Sequence, residues 1–411
     1  MRKILDNARI SLIANISSNV LSFSAILILA RSMSVEQYAL FATFLTTALI
    51  AIQAMDLGFS VSLINNKVRL DKLGVFSQAV IAVLFMRLLF CIGVSGLVFF
   101  IGPNFEEGLF KGFFNPLHFL FITAFTNTLV LMYQVDFKYI KYAKVLVGVQ
   151  FARLIFVMLG LLFLNRNDAL GFIMYTYMLA GVAVIPFFYV DMRKIIINFN
   201  FNYLSLLRGS LWPYVSLLAS AIVVRLDIYI LPLFTTMDQV GRYAAYLNVA
   251  LLIPVLFNAI YPLVLSSLRD IYEKYGVIKT LKKIYLYVLF VSPCLIFLAY
   301  ICDPIPVLIF GDSYALPENI FGLMFLIYVL GIFANIVATS IYYVDTSYIL
   351  TMSIILQLIL HVVLSFVLIP RFGVMGAVLA ALGGRLFSLL IIVISSGVLG
   401  VRHDRSTCSK N

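Results

Sequence analysis

The sequence predicts an all-α polytopic membrane protein with twelve transmembrane helices in two six-helix lobes, and three observations carry that reading. Hydrophobic residues make up 63% of the 411 and charged residues 11%, where a soluble domain sits near a half and a quarter. The mean hydropathy is +1.07. The apolar residues also gather into runs of about 20 bounded by charges or turn residues, the length that crosses a hydrocarbon core ~30 Å thick.

Taken in order, the first run is Ile10 to Ala30, held between Arg9 and Arg31. The basic MRKILDNAR ahead of it resembles the start of a signal peptide, but the run is longer than an ordinary h-region and no small-x-small cleavage site follows, so it reads as a retained helix. Tyr38 to Ile64 follows Glu36; it is overlong and is expected to bend near Asp56 and Gly58. Val75 to Ile101 lies between Lys72 and Pro103, Phe113 to Val135 between Lys111 and Asp136, and Val145 to Leu164 between Lys144 and Arg166. Leu170 to Val190 closes the first set. The second set is Leu211 to Phe234, Tyr243 to Leu268, Ile284 to Ile301, Ile320 to Val344, Tyr348 to Ile369 and Val374 to Gly400. The predicted organisation is an N-terminal lobe over 1–190, a cytoplasmic linker over 191–210, a C-terminal lobe over 211–400 and a tail over 401–411.

The net charge of +11 is distributed by topology. With both termini cytoplasmic, 20 of the 29 Lys and Arg fall in cytoplasmic segments, 5 outside and 4 within the runs, while acidic residues divide evenly. That is the positive-inside pattern, so no nucleic-acid partner is expected. The four cysteines and three histidines show no metal-ligand or disulfide spacing, and no phosphate-cradling loop is present. No cofactor is expected.

An offset near half the chain length aligns SVEQYALF, Ser34 to Phe41, with QVGRYAAY, Gln239 to Tyr246. An even number of spans per half makes the two repeats parallel, and a central cleft between lobes follows. Pro232, Pro254, Pro262 and Pro293 fall in or near runs, where each favours a kink. In GVMGAVLAALGG the small residues Gly376, Ala380 and Gly383 or Gly384 mark a face for close helix packing.

Polar residues at membrane depth carry the functional signal. Arg225 and Asp227 sit two apart in SLLASAIVVRLDIYILPLF, on different helix faces, so each needs its own partner. The first run carries a polar stripe, Ser11, Asn15, Ser18, Asn19 and Ser22; the fourth has Thr123, Asn127 and Gln134, and the eleventh Gln357 and His361. Four arginines lie within runs, Arg87, Arg153, Arg225 and Arg385, against two aspartates, Asp56 and Asp227, which leaves an excess of two positive charges. Arginine does not deprotonate, so a wet, central cationic cavity with an anionic guest is expected. At 1.5 Å per residue, Arg153 lies about 12 Å and Arg225 about 20 Å from the cytoplasmic side, a spread that suits a path.

LARSMSVEQYALFATF, RLDIYILPLFTTMDQVGRYAAYLNV, VLIFGDSYA and LIPRFGVMGAVLAALGGR, in that order along the chain, resemble the bacterial O-antigen and polysaccharide repeat-unit flippases of the multidrug/oligosaccharidyl-lipid/polysaccharide exporter superfamily. The resemblance implies two six-helix lobes in the bacterial inner membrane and alternating access. Its substrate would be an undecaprenyl-pyrophosphate-linked oligosaccharide, flipped from the cytoplasmic to the periplasmic leaflet. The family's polymerase and chain-length regulator would be partners. On this reading Arg87, Arg153, Arg225 and Arg385 bind the anionic head group, while Asp56, Asp227, Asn15 and Asn19 line the cavity or serve coupling, to a proton or Na+. The chain departs from the family in having no charge within the first run, where Asn15 and Asn19 stand instead. A multidrug antiporter shares the architecture but favours cationic guests. A glycan polymerase needs a catalytic outer region, and the longest outer loop here is about eighteen residues with an apolar middle, IPVLIF, so the chain is read as a carrier and not an enzyme.

Overall fold

The computed structural model describes residues 2–60, 76–101, 116–163, 211–343 and 347–408, together with Ser62, Leu63, Lys67 and Ala180. Every element among them is helical. The sixth predicted run and the linker lie outside the described residues. The chain divides into two compact units, Met1–Leu218 and Ala219–Asn411.

The first unit holds α1 (Arg2–Ser32), α2 (Val35–Met55), α3 (Phe76–Ile101), α4 (Pro116–Val135) and α5 (Tyr139–Phe163). A capping box starts α2: the Gln37 N–H donates to Ser34 Oγ at 3.2 Å, and the Ser34 N–H donates to Gln37 Oε1 at 3.3 Å. The helix stops at Asp56, where Leu57 and Gly58 take φ of 47° and 75°. The bend expected there is therefore a true break. α1 packs along α5, and α4 lies against α2, α3 and α5 around a core that includes Phe59, Val80, Val83, Leu129, Tyr133 and Tyr142. At one end of this bundle Lys67 and Lys138 reach Asp136 at 2.7 and 2.9 Å, which ties Lys67 to the turn between α4 and α5.

Burial pushes the Asp136 carboxyl up, but hydrogen bonds and charge from Lys67 and Lys138 outweigh it and hold the group below its ordinary value. A carboxylate depressed in this way contributes stability above its unfolded pKa, and the contribution is lost as pH falls through the folded value. Asp136→Asn is expected to lower thermal stability near neutral pH, by about 1 kcal/mol for so accessible a pair. The gap to the parent should close below the ordinary carboxylate range, as melting curves in detergent at a series of pH values would show.

The second unit begins within α6 (Leu211–Arg225), which is bent by 50° against α7 (Asp227–Ile230) and its 3-10 extension Leu231–Leu233. Then come α8 (Met237–Ala250), α9 (Leu252–Tyr275), α10 (Val277–Cys302), the short α11 (Ile305–Phe310), α12 (Ile320–Tyr343) and α13 (Ser347–Cys408). α12 is the centre of this unit, packing on α9, α10 and α13. Tyr38 and Ala39 of the first repeat and Tyr243 and Ala244 of the second are all buried, so the Tyr-Ala pair of the two motifs is packed inward in both α2 and α8.

α13 is two helices folded back on each other at Gly373, where φ is 56° and ψ −130°. Across this hairpin Ser353 and Ser388 hydroxyls meet at 2.9 Å. A Cβ on Gly376 would stand 2.3 Å from the Leu368 carbonyl oxygen, so only glycine lets the two arms close this tightly. Gly376→Ala should force the arms apart and sharply reduce the monodisperse protein recovered from membranes.

Among the described residues seven helices are long and apolar enough to cross a membrane, or eight with the bent pair as one span. One of them, Tyr348–Val398, contains both arms of the α13 hairpin. The protein is a multi-pass membrane protein.

Candidate functional site

Among the described residues each unit contains one buried aspartate, and each aspartate organises a polar centre. In the first unit the end of α2 delivers Asp56 to Arg87 from the middle of α3, which is 1% exposed. Arg87 also donates to Thr128 Oγ1 of α4 at 2.8 Å and to Ser60 Oγ at 3.2 Å, and Ser60 Oγ in turn donates to Asp56 Oδ1 at 2.6 Å. The broken end of α2 makes this possible, because the turn after Met55 aims Asp56 across the bundle. The Tyr214 hydroxyl of α6 donates to the Ala54 carbonyl beside it at 3.1 Å, capping the helix end. The charges of Arg87 and Asp56 thus meet each other.

The polar stripe of α1 is met largely by its own helix. Asn15 Nδ2 donates to the Ser11 carbonyl and Asn19 Nδ2 to the Asn15 carbonyl, both at 2.8 Å, and the Tyr142 hydroxyl of α5 donates to Asn15 Oδ1 at 3.0 Å. The two amides bond back along α1 itself, and the Tyr142 contact ties α1 to α5. Further along α5, half-buried Arg153 donates to Gln150 Oε1 at 3.2 Å.

In the second unit the break after Arg225 turns Asp227 inward, to 2% exposure. Its Oδ2 accepts from the Tyr243 hydroxyl of α8 at 2.6 Å, and its Oδ1 lies 3.0 Å from His361 Nε2 on the first arm of α13. Both carboxylate oxygens are engaged. Asp227, Tyr243, Tyr328, Gln357, His361 and Arg385 line a cavity of about 30 Å³. The Arg385 guanidinium rests against Gly331 of α12, where a Cβ would stand 3.4 Å from Cζ. Tyr328 lies within electrostatic reach of Arg385, Arg225 and Asp227. Half-buried Arg225 therefore ends α6 close to this centre without lining the cavity itself.

Of the residues singled out from sequence, the structure brings together Asp56 with Arg87, and Asp227 with Arg385 around one cavity. Tyr243, Ser60 and Thr128 were missed as site residues; His361 was marked only as a polar residue. Tyr243 was visible in the repeat motif, and His361 stood one turn from Gln357 in an otherwise apolar run. The Asp227 centre combines several kinds of polar group. Here the carboxylate is already bonded twice, and an imidazole and a guanidinium face the same space.

The fold is shared with solved transport proteins. The lipid II flippase MurJ in an inward closed conformation superposes with a TM-score of 0.72 at 13% identity, over 93% of this chain and 86% of that one. An outward-facing multidrug resistance MATE family transporter of the MOP superfamily gives 0.68 at 13%, over 100% and 96%. A MATE protein in the straight conformation gives 0.66 at 14%, over 100% and 97%. These likenesses show a helical fold shared with MurJ and the MATE transporters. No curated protein matches the chain in sequence. Residues 4–266, more than half of the chain, match the family described as polysaccharide biosynthesis protein, and the chain belongs to that family.

Proposed function

We propose that the protein flips a polyprenyl-pyrophosphate-linked glycan repeat unit, of O-antigen or a similar polysaccharide, from the cytoplasmic to the periplasmic leaflet by alternating access. The observation that carries this reading is an interior with two more arginines than aspartates in a chain of the polysaccharide biosynthesis family. Within it Asp56 is taken by Arg87, and both oxygens of Asp227 are taken by Tyr243 and His361. A pyrophosphate is the guest that such an interior selects, through charge-assisted and bidentate contacts. Arg225 is the proposed head-group ligand in the second unit, because it closes a helix at a break beside that unit's polar centre. Arg153 adds a cation along the path in the first unit. Arg87 acts through the Asp56 network, fixing where α2 ends.

The similarity to MATE transporters over the full chain supports a second reading, a multidrug antiporter. Drug efflux that requires Asp227, with glycan export unaffected, would favour it. The decisive genetic test is deletion in a host that also lacks its glycan polymerase. Such a host still displays single repeats at its surface when translocation works. The proposal expects the deletion to abolish that display and to leave the lipid-linked unit facing the cytoplasm. Continued display would contradict it.

A further inference from the structure

The turn between α9 and α10 gathers positive charge at the edge of a membrane span. From Arg269 to Lys283 the chain carries five basic residues against Asp270 and Glu273, a net charge of +3. Lys274, Lys279, Lys282 and Lys283 are all exposed. Lys274 in the last turn of α9 and Lys283 in the second turn of α10 each stand 5.0 Å from the centroid of the Tyr275 ring, so their ammoniums lie no more than 10 Å apart. The ring attracts both cations through its face, yet each ammonium keeps N–H donors for an anion. Two like charges held over one ring repel each other, and a phosphate lying between them removes that cost.

What lies beyond the lysines says which anion. Lys279, Lys283, Leu286, Phe290, Phe297 and Ile301 follow one another at helical spacing along a single stripe of α10. The four apolar members are exposed, Phe290 to 83%. Val277–Phe310, the candidate span that begins here, is the least buried of those among the described residues, with 6% of its apolar window buried. A wide apolar face of this kind at membrane depth has hydrocarbon as its partner. The stripe therefore offers an acyl chain a path that ends at the lysines, and Tyr275 is an exposed amphipathic ring of the sort that sits at headgroup level. A soluble phosphate would use the lysines and leave the stripe unused. A zwitterionic lipid would bring its own cation among the lysines. A phospholipid with net negative charge complements both.

We propose that the α9–α10 turn binds one anionic phospholipid of the surrounding leaflet. Its phosphate is held by Lys274 and Lys283 on either side of Tyr275, with Lys279 and Lys282 beside it, and an acyl chain follows Leu286 and Phe290. Lysines that only set the orientation of a span need lie no closer than the same side of the membrane; here two from different helices converge on one ring above one lipid-facing stripe. The site lies wholly in the second unit and makes no use of Arg225, so it stands or falls independently of what the protein carries.

The test is native mass spectrometry of the full-length protein released from detergent, titrated with phosphatidylglycerol or with phosphatidylcholine of the same acyl chains. The spectrum counts bound lipids and chains together. The parent is expected to retain one phosphatidylglycerol per chain at concentrations where phosphatidylcholine is not retained. Each lysine beside an anionic headgroup accounts for about fivefold in affinity, so Lys279→Gln with Lys283→Gln should weaken phosphatidylglycerol binding roughly 25-fold and erase the preference. Lys279→Arg with Lys283→Arg keeps the charge and should keep the preference, which guards against a folding defect. Lys141→Gln with Lys144→Gln removes the same charge from exposed positions of α5 and should leave the adduct unchanged. Equal retention of the two lipids by the parent, or an equal loss in the α5 variant, would overturn the proposal. So would displacement of the lipid by an equal concentration of inorganic phosphate, which would make the ligand a soluble anion, or a lipid-free dimer that the α10 substitutions dissociate, which would make the occupant a second copy of the chain. Because no glycan is present in the assay, none of these outcomes bears on flipping.

Discussion

Replacing Arg87 with alanine is expected to remove most of the folded protein from the membrane fraction. The side chain is 1% exposed and joins three elements, through Asp56 after α2, Ser60 beyond the break and Thr128 on α4. Truncation leaves the Asp56 carboxylate, itself only 9% exposed, with Ser60 as its remaining hydrogen-bond donor. Breaking a buried pair by removing one partner costs about 3–5 kcal/mol, against a total stability of about 5–15 kcal/mol for a folded domain. Arg87→Lys keeps the charge but not the planar fork that reaches Thr128 and Asp56 at once, so an intermediate loss is expected. The double change Asp56→Leu with Arg87→Met removes both charges and should recover more protein than Arg87→Ala alone. Fluorescence-detected size exclusion and melting temperature report all four proteins. A normal profile for Arg87→Ala would show that the pair does not hold the first unit together.

Arg225→Ala is expected to behave in the opposite way, with normal protein level and no transport. The residue is half-buried at the last position of α6, where the chain already bends by 50°, so its loss leaves the helices on both sides intact. If it holds the pyrophosphate by a bidentate contact, its removal weakens that contact by about 3 kcal/mol, roughly a hundredfold in affinity. Arg225→Lys retains a point charge and should keep a measurable fraction of activity. The readout is surface display of single repeats in a polymerase-deficient host, normalised to the amount of protein in the membrane. A fold defect would lower both quantities together, and loss of a ligand lowers only the first.

What the sequence revealed and what it hid follow from the range of each interaction. Composition and run length are local properties, and they placed the helices. Breakers are local too: Gly58 after Asp56 announced the end of α2, and the small residues of GVMGAVLAALGG announced the tight hairpin in α13, where Gly384 stands against His361 and Gln357. The pairing of charges is not local. Arg87 lies 31 residues from Asp56 and His361 lies 134 from Asp227, with no periodicity to connect them. The expectation that Asp227 would need a partner other than Arg225 came from helix geometry alone, and only the fold could name Tyr243 and His361. On α1 the long polar stripe suggested a cavity lining, and in the fold Asn15 and Asn19 bond to carbonyls one turn back along their own helix. An i, i+4 pattern of amides reads the same whether the side chains face water or fold back on the backbone.

The most direct test of the central claim is translocation in vesicles made from purified protein and phospholipid. A polyprenyl-pyrophosphate-linked oligosaccharide is placed in one leaflet, and its arrival in the other is followed by the access of an added glycosidase, with a pH gradient imposed in either direction. The account predicts that the parent protein carries the lipid across well above the rate in protein-free vesicles, and that Arg225→Ala, reconstituted in equal amount, does not. Equal transfer by Arg225→Ala and the parent, or none by the parent in either gradient, would contradict it.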